Sequence, residues 1–255
     1  YIFFVLCTGI VVPAGLIFAF NYSVDPYYQW RYAASYTFDP VYELGIGGRI
    51  TKAYQTRYRR PKHIVLGTSR SLRGIDENHE AWPEGPCFNL AVFGSGIDES
   101  LAFLRHAHHV SELDTVVIGL DLFSFNQTDT SHLTHYEHVL SYKDARLGWQ
   151  TERLRTALST TTLADSWERF RRNKSPADDT MPSLSADQAP PSNPRRFRIA
   201  VPQIAAWYFG LDGSAFSFKG SLDSTSFDDY RQILAFCHEN EIDLRLFISP
   251  VHAVQ

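Results

Sequence analysis

A serine that follows a short apolar run and a glycine stands where a hydroxyl can act as a nucleophile. Gly67-Thr68-Ser69-Arg70-Ser71 has this pattern, directly after His63-Ile64-Val65-Leu66. A Ser just past a strand and at the mouth of a helix sits on a sharp turn with its hydroxyl exposed. There the backbone N–H groups of the helix start face a developing oxyanion. An ordinary helix N-cap fits the same position, since Ser favours it, and Ser69 alone does not separate the two. Three other apolar runs also end in polar or glycine-rich residues. Asn89-Leu90-Ala91-Val92-Phe93-Gly94-Ser95-Gly96 follows the second, Asp121-Leu122-Phe123 the third, and Ser249-Pro250-Val251-His252-Ala253 the fourth. Ligands of open parallel sheets bind at the carboxyl ends of the strands. Ser69, Arg70, Gly94, Gly96, Asp121 and His252 are therefore expected around one crevice. A glycine at 94 or 96 lets a backbone N–H approach closely.

A nucleophilic serine needs a general base. His252, at a strand end, lines the expected crevice. Two Asp-x-x-His spacings, Asp76 to His79 and Asp129 to His132, follow no late strand and are read as chance. His106, His108 and His109 share an expected helix and lack a carboxylate partner. His132, His135 and His138 are spaced by three, which would allow a metal on one helical face, but polar surface histidines account for them better. No metal and no cofactor is expected. Cys87 and Cys237 would pair in an oxidising compartment; two buried free thiols is the favoured reading.

The elements that must position these residues follow from the apolar pattern. His63–Gly67, Cys87–Ala91, Thr115–Leu120 and Leu244–Ile248 are short continuous apolar runs, the mark of strands covered on both faces in a parallel sheet. Helices are expected between them. Asp98 can cap one, with Leu101, Leu104 and His108 on a shared face. Ser226-Phe227-Asp228-Asp229 matches a capping box, followed by Tyr230, Ile233, Leu234 and Cys237 at helical spacing. Alternating strand and helix predicts an α/β fold with a doubly wound, mostly parallel sheet in three layers over 63–255. A polar helical insertion is expected at about 130–172 and a proline-rich loop at about 173–194.

The chain has 255 residues, 44% hydrophobic and 20% charged, the composition of a globular protein. Its net charge of -4 gives no bulk attraction to nucleic acid, so no nucleic-acid partner is expected. The aromatic residues, 13 Tyr, 18 Phe and 5 Trp, suit a core first and a sugar-binding cleft second. Tyr1 to Phe20 carries no charged side chain, and 20 residues of helix span about 30 Å, a bilayer core. Residues 1–22 are therefore expected to form one transmembrane anchor. Tyr22, Tyr27, Tyr28 and Trp30 follow as an interfacial aromatic belt. A cleaved signal peptide is the competing account, but no small-residue cleavage site follows. Only Arg31 lies close behind the apolar run, which places the bulk of the chain outside the cytoplasm. Residues 23–62 form a juxtamembrane segment. Its basic cluster, Arg49, Lys52, Arg57, Arg59, Arg60 and Lys62, reads as a solvated helix face ahead of a contact with anionic head groups. The chain starts at Tyr1 rather than Met and stops at Gln255 after a strand, so further residues are expected at both ends.

In order and spacing these motifs resemble the SGNH hydrolase superfamily. They are most similar to its membrane-anchored, extracytoplasmic branch, which includes the D-alanyl transfer protein of lipoteichoic acid and the alginate O-acetylation proteins. Gly67-Thr68-Ser69 stands for the Gly-Asp-Ser block, Gly94 or Gly96 for the oxyanion-hole glycine, and Gly119-Leu120-Asp121 for Gly-x-Asn. The resemblance runs from about Asp25 to Gln255. It implies a flavodoxin-like sheet and Ser69 as the catalytic nucleophile. It also implies a location on the bacterial inner membrane facing the periplasm, and an esterase or O-acyltransferase acting on a cell-envelope glycan. Two positions depart from the pattern. Thr68 replaces Asp, and Asp121 replaces the oxyanion-hole Asn. A carboxylate there repels an oxyanion unless protonated or turned away, or it pairs with Arg70 instead. The resemblance places the base in an Asp-x-x-His after a fifth strand, beyond Gln255. The alternative function is a non-catalytic partner of a membrane acyltransferase or polysaccharide-export complex. A phosphate-binding flavodoxin-like module lacks any phosphate loop.

Overall fold

A computed structural model describes residues 2–30, 46–125, 132–140, 146–174 and 224–248. The first elements in chain order are helix α1 (Ile2–Val24), helix α2 (Ile46–Arg59), strand β1 (His63–Leu66), helix α3 (Ser69–Gly74) and strand β2 (Cys87–Asn89). Helix α4 (Ile97–Val110), strand β3 (Thr115–Leu120) and the short helix α5 (Glu137–Leu140) follow. Helices α6 (Arg146–Ala157), α7 (Thr160–Lys174) and α8 (Thr225–Glu239) and strand β4 (Asp243–Ile248) complete the described elements. They fall into two compact units, one within Tyr1–Arg59 and His135–Met181, the other within Arg60–Thr134 and Pro182–Gln255.

The second unit is an α/β fold on a four-stranded, all-parallel sheet in the order β2-β1-β3-β4. His63 lies opposite both Cys87 and Thr115, and Ile118 opposite both Leu66 and Leu246. Ile64, Val65, Leu66, Val116 and Ile118 are buried, as continuous apolar runs require of central strands. From β1 the chain winds outward to β2, then returns to place β3 on the other side of β1. That reversal makes the carboxyl ends of β1 and β3 the topological switch point, the place where doubly wound sheets bind ligands. The expected strands are present, with β1 and β2 slightly shorter than the apolar runs.

Three local expectations need correction. β4 is not buried: it is the edge of the described sheet, and Ile248 is 82% exposed. Asp98 is not the cap of α4. Gly96 is the N-cap and Asp98 lies in the first turn, where its negative charge still suits the helix dipole. α8 starts at Thr225 with Ser224 as its N-cap, so Ser226 lies inside the helix. Its inner face holds Ile233 and Cys237 as the spacing predicts, while Leu234 is exposed.

The first unit is helical. α5, α6 and α7, from the segment expected as an insertion, belong to the same unit as α1 and α2. The end of α1 packs on α6 and α7. Asn21 Nδ2 donates to the Ala157 carbonyl at 2.8 Å, and the Tyr27 hydroxyl donates to Asp165. Burial, with the nearby Asp165 carboxylate, pushes the Tyr27 phenol upward from its ordinary value. Tyr27 is thus a core residue and not part of an interfacial belt, whereas Tyr22 is exposed, its ring tilted against Trp30 at 5.2 Å between centres. Tyr54 is also buried and donates to Thr156 Oγ1 at 2.9 Å. These tyrosines bear out the core role of the aromatics.

The basic cluster is a solvated face only at its end, where Arg60 is exposed and Lys62 partly so; on α2 it is not. Arg49 and Lys52 are buried, and Arg57 lies over the Trp149 ring at 4.2 Å. Arg153 covers Trp30 at 3.9 Å, so guanidinium–indole stacking is a repeated contact of this unit. Among the described residues no helix is long and apolar enough to cross a membrane, so the expected crossing at 1–22 is not shown. The side chains of α1 are described from Thr8 onward. The proline-rich loop, from 175 on, lies outside the described residues.

Candidate functional site

The site begins at Gly67, where the chain leaves β1. Its φ of +125° is a region L side chains rarely adopt, and a Cβ there would lie 2.6 Å from the Gly119 carbonyl oxygen. This turn starts α3. Thr68, not Ser69, is the N-cap: its Oγ1 accepts from the Arg70 backbone N–H at 3.4 Å. Ser69 is the first helical residue, half-buried, and its hydroxyl has no hydrogen-bond partner among the described residues. The ordinary-cap account of Ser69 is therefore wrong for this chain, because the preceding threonine does that work.

Asp121 follows β3 across the switch point and its side chain is fully buried. Both of its oxygens are engaged. Thr68 Oγ1 donates to Oδ2 and Arg70 Nη1 donates to Oδ1. Residues 68 and 70 thus close on one carboxylate with Ser69 between them. The Arg70 side chain is 27% exposed and lies 5.6 Å from the Phe123 ring. The pairing of Asp121 with Arg70, one of two alternatives open in the sequence, is the arrangement formed. Both carboxylate oxygens are thus turned to protein donors.

The β2 end joins the same region through the backbone. Leu90 N–H donates to Val65 O at 2.8 Å and Val92 N–H to Gly67 O at 3.0 Å. The loop then reaches Gly94, exposed with φ +61°, and Gly96, whose N–H donates to Glu99 Oε2 at 3.4 Å. Ser124 Oγ, one turn past Asp121, donates to Ser95 O at 2.8 Å. Three strand-end segments, 67–70, 90–96 and 121–124, are therefore tied to one another by hydrogen bonds. Arg73 lies over Phe93 at 5.1 Å, so α3 rests one arginine on a phenylalanine of each flanking loop. Gly96 spends its N–H on Glu99, which leaves it a poorer oxyanion donor than the sequence alone implies.

Two residues missed in the sequence organise this turn. Asn89 Nδ2 donates to the carbonyls of Ser71, Leu72 and Ile75 and its Oδ1 accepts from Ala91, fastening the end of α3 to β2. Ser71 is fully buried against Gly67 and Gly119, and its Oγ has no partner. An asparagine at a strand end is a legible signal for such a clamp. Ser71 gave none, because its role depends on the gap between β1 and β3.

The remaining candidates lie elsewhere. His252 is outside the described residues, as is Asp129. Asp76 and His79 cap their own turn: Asp76 Oδ1 accepts from Asn78 N–H and His79 Nδ1 from Ala81 N–H. His132 and His135 are exposed and His138 Nε2 meets Glu152 Oε1 at 3.1 Å. Cys87 and Cys237 are free thiols. Burial pushes Cys87 up to about 12 and Cys237 up to about 11, so both stay protonated at neutral pH and make weak nucleophiles. Compared with known proteins, the chain matches no family model, no curated protein and no solved structure.

Proposed function

We propose that this chain is an SGNH-like, membrane-anchored esterase or O-acyltransferase of a cell-envelope glycan, with Ser69 as the acyl-carrying nucleophile. The observation that carries this reading is the placement of Ser69. It stands at the carboxyl end of β1, beside the switch point, with a half-buried hydroxyl that no described residue occupies. The sheet order β2-β1-β3-β4 is the flavodoxin-like order up to its fourth strand, which supports the doubly wound, three-layer arrangement.

In the reaction, Ser69 Oγ attacks an acyl carbonyl carbon. The Oγ–C bond forms and the C=O pair moves to oxygen. The oxyanion collapses, the bond to the departing alcohol breaks, and the proton from Oγ ends on that alcohol. The base that carries the proton is outside the described contacts of Ser69. Arg70 supplies positive charge beside the oxyanion where the resemblance places an Asn amide, and Asp121 fixes the guanidinium that does so.

The anchor reading rests on α1. Its 23 residues from Ile2 to Val24 carry no charged side chain, and with residues 2–7 included it spans about 34 Å. Ile10, Val11, Val12 and Leu16 are exposed, which water disfavours and lipid does not. With few basic residues behind it, the rest of the chain faces the periplasmic side of a bacterial inner membrane.

A fluorophosphonate probe on the full, membrane-reconstituted chain tests the reaction. Labelling of the wild type and none of Ser69→Ala is expected; a folded wild type that stays unlabelled overturns it. The engagement of both Asp121 oxygens, with no base touching Ser69 among the described residues, favours a second reading. There the chain is a non-catalytic partner of a membrane acyltransferase or export complex. Polymer acylation in cells would then survive Ser69→Ala and fail on loss of the anchor.

A further inference from the structure

We infer that the turn joining α6 and α7 is a second membrane contact, a shallow platform that enters the lipid head-group layer beside the end of α1. The inference rests on the anchor reading of α1 and is independent of Ser69. Leu154 and Leu158 are 46% and 45% exposed and share a face at i and i+4. Trp167, on α7, is 53% exposed. No side chain from Thr156 to Ala164 is charged; exposed Arg155 precedes this stretch, and Asp165, Glu168 and Arg171 follow it, the last two exposed. An uncharged turn with exposed leucines, and an exposed tryptophan two turns further along α7, has the make-up of an interfacial segment.

The position of this turn decides its partner. Asn21 Nδ2 bonds the Ala157 carbonyl at 2.8 Å, and Phe20 lies 6.4 Å from Trp167 and 5.8 Å from Phe170 between ring centres. Phe20 is the last apolar residue before Asn21, the first amide side chain of α1, which stays uncharged to Val24. Trp167 and Leu158 therefore stand at the depth where an anchored α1 leaves the hydrocarbon. Tryptophan is enriched at that depth in membrane proteins. A bilayer is favoured over a protein partner because the apolar surface is continuous with α1.

The test uses the full chain with Cys7→Ser, Cys87→Ser and Cys237→Ser, carrying Leu158→Cys or, as a control, Gln232→Cys on exposed α8. Each is labelled with an environment-sensitive fluorophore and reconstituted into phosphatidylcholine–phosphatidylglycerol liposomes. The expected result is co-flotation with the liposomes. The Leu158 label should shift to the blue and be quenched by lipids spin-labelled near the head group, while the Gln232 label does neither. Co-flotation without shift or quenching overturns the platform and leaves the anchor standing. A blue shift insensitive to the lipid quencher means protein covers the turn, and also overturns it. Failure to co-float removes both anchor and platform.

Discussion

Arg70 Nη1 donates to Asp121 Oδ1, bridging the ends of β1 and β3 at the point where the sheet reverses direction. The carboxylate is fully buried and the guanidinium mostly so. Removing one partner of such a pair leaves the other's charge uncompensated, which costs more than the pair contributes as a unit. Asp121→Ala should destabilise the chain by about 2–3 kcal/mol, the partial exposure of Arg70 holding the loss below the fully buried case. Asp121→Asn, which keeps an acceptor, should cost less. Urea midpoints of the three proteins check this ordering, and equal midpoints would remove the ion pair from the account of the site.

Thr68 and Ser69 make opposite predictions although they are neighbours of similar chemistry. Thr68 caps α3 and also donates to Asp121. Thr68→Val loses both, with a cost of about 1–2 kcal/mol, and Thr68→Ser restores most of it. Ser69→Ala removes a hydroxyl that bonds nothing described, so its stability should stay within about 0.5 kcal/mol of wild type. Its labelling by a serine probe should nonetheless disappear. Thermal unfolding beside probe labelling separates the two residues. A Ser69→Ala variant as unstable as Thr68→Val would mean Ser69 is structural after all.

These contrasts mark what could be read from the residues in order and what could not. The four strands were legible because continuous runs such as Thr115–Leu120 leave few alternatives, and their ends gave the right neighbourhood for Ser69, Asp121 and the 90–96 loop. The N-cap was displaced by one residue because Thr and Ser both cap helices and only the backbone direction after Gly67 separates them. β4 read as buried from its composition, yet its burial depends on what lies beside it in the sheet. Arg49 and Lys52 were misread for a related reason. Charge predicts exposure on average, while these two lie inside the helical unit. That unit draws its helices from two distant stretches of chain, which no local pattern announces.

Gly119 and Ser71 form a pair that tests how tightly α3 is set on the sheet. A Cβ at Gly119 would meet Ser71 Oγ and the Phe247 ring, the latter at 2.7 Å. Gly119→Ala should therefore destabilise by about 1–3 kcal/mol through overpacking. Ser71 Oγ is buried without a partner, so Ser71→Ala alone should be neutral or stabilising. Together the two should show a favourable coupling of about 0.5–1 kcal/mol, since one of the two clashes is gone. A double-mutant cycle measures it. Additive effects would show that Phe247 alone sets the limit at Gly119.

The two thiols give the chain an alkaline weakness whose sign can be worked out. Burial raises Cys237 from 9.0 to about 11 and Cys87, with nearby Glu77 and Asp76, from 9.0 to about 12. In the unfolded chain both lose their protons near 9.0, so above that pH the folded state holds more protons and stability falls as pH rises. The protection is complete below about pH 9 and is lost progressively up to about 11 for Cys237 and about 12 for Cys87. Cys237→Ala should therefore cost stability at neutral pH, through the cavity it leaves, yet lose less on going to about pH 10.5 than wild type does. Comparing urea midpoints of the two proteins at both pH values cancels the tyrosines and lysines they share. Alkylation by iodoacetamide at about pH 8 gives a second readout, each thiol reacting roughly 100-fold or more below an exposed cysteine. Parallel loss of stability in wild type and Cys237→Ala would show that the Cys237 thiol ionises as freely in the folded chain as outside it.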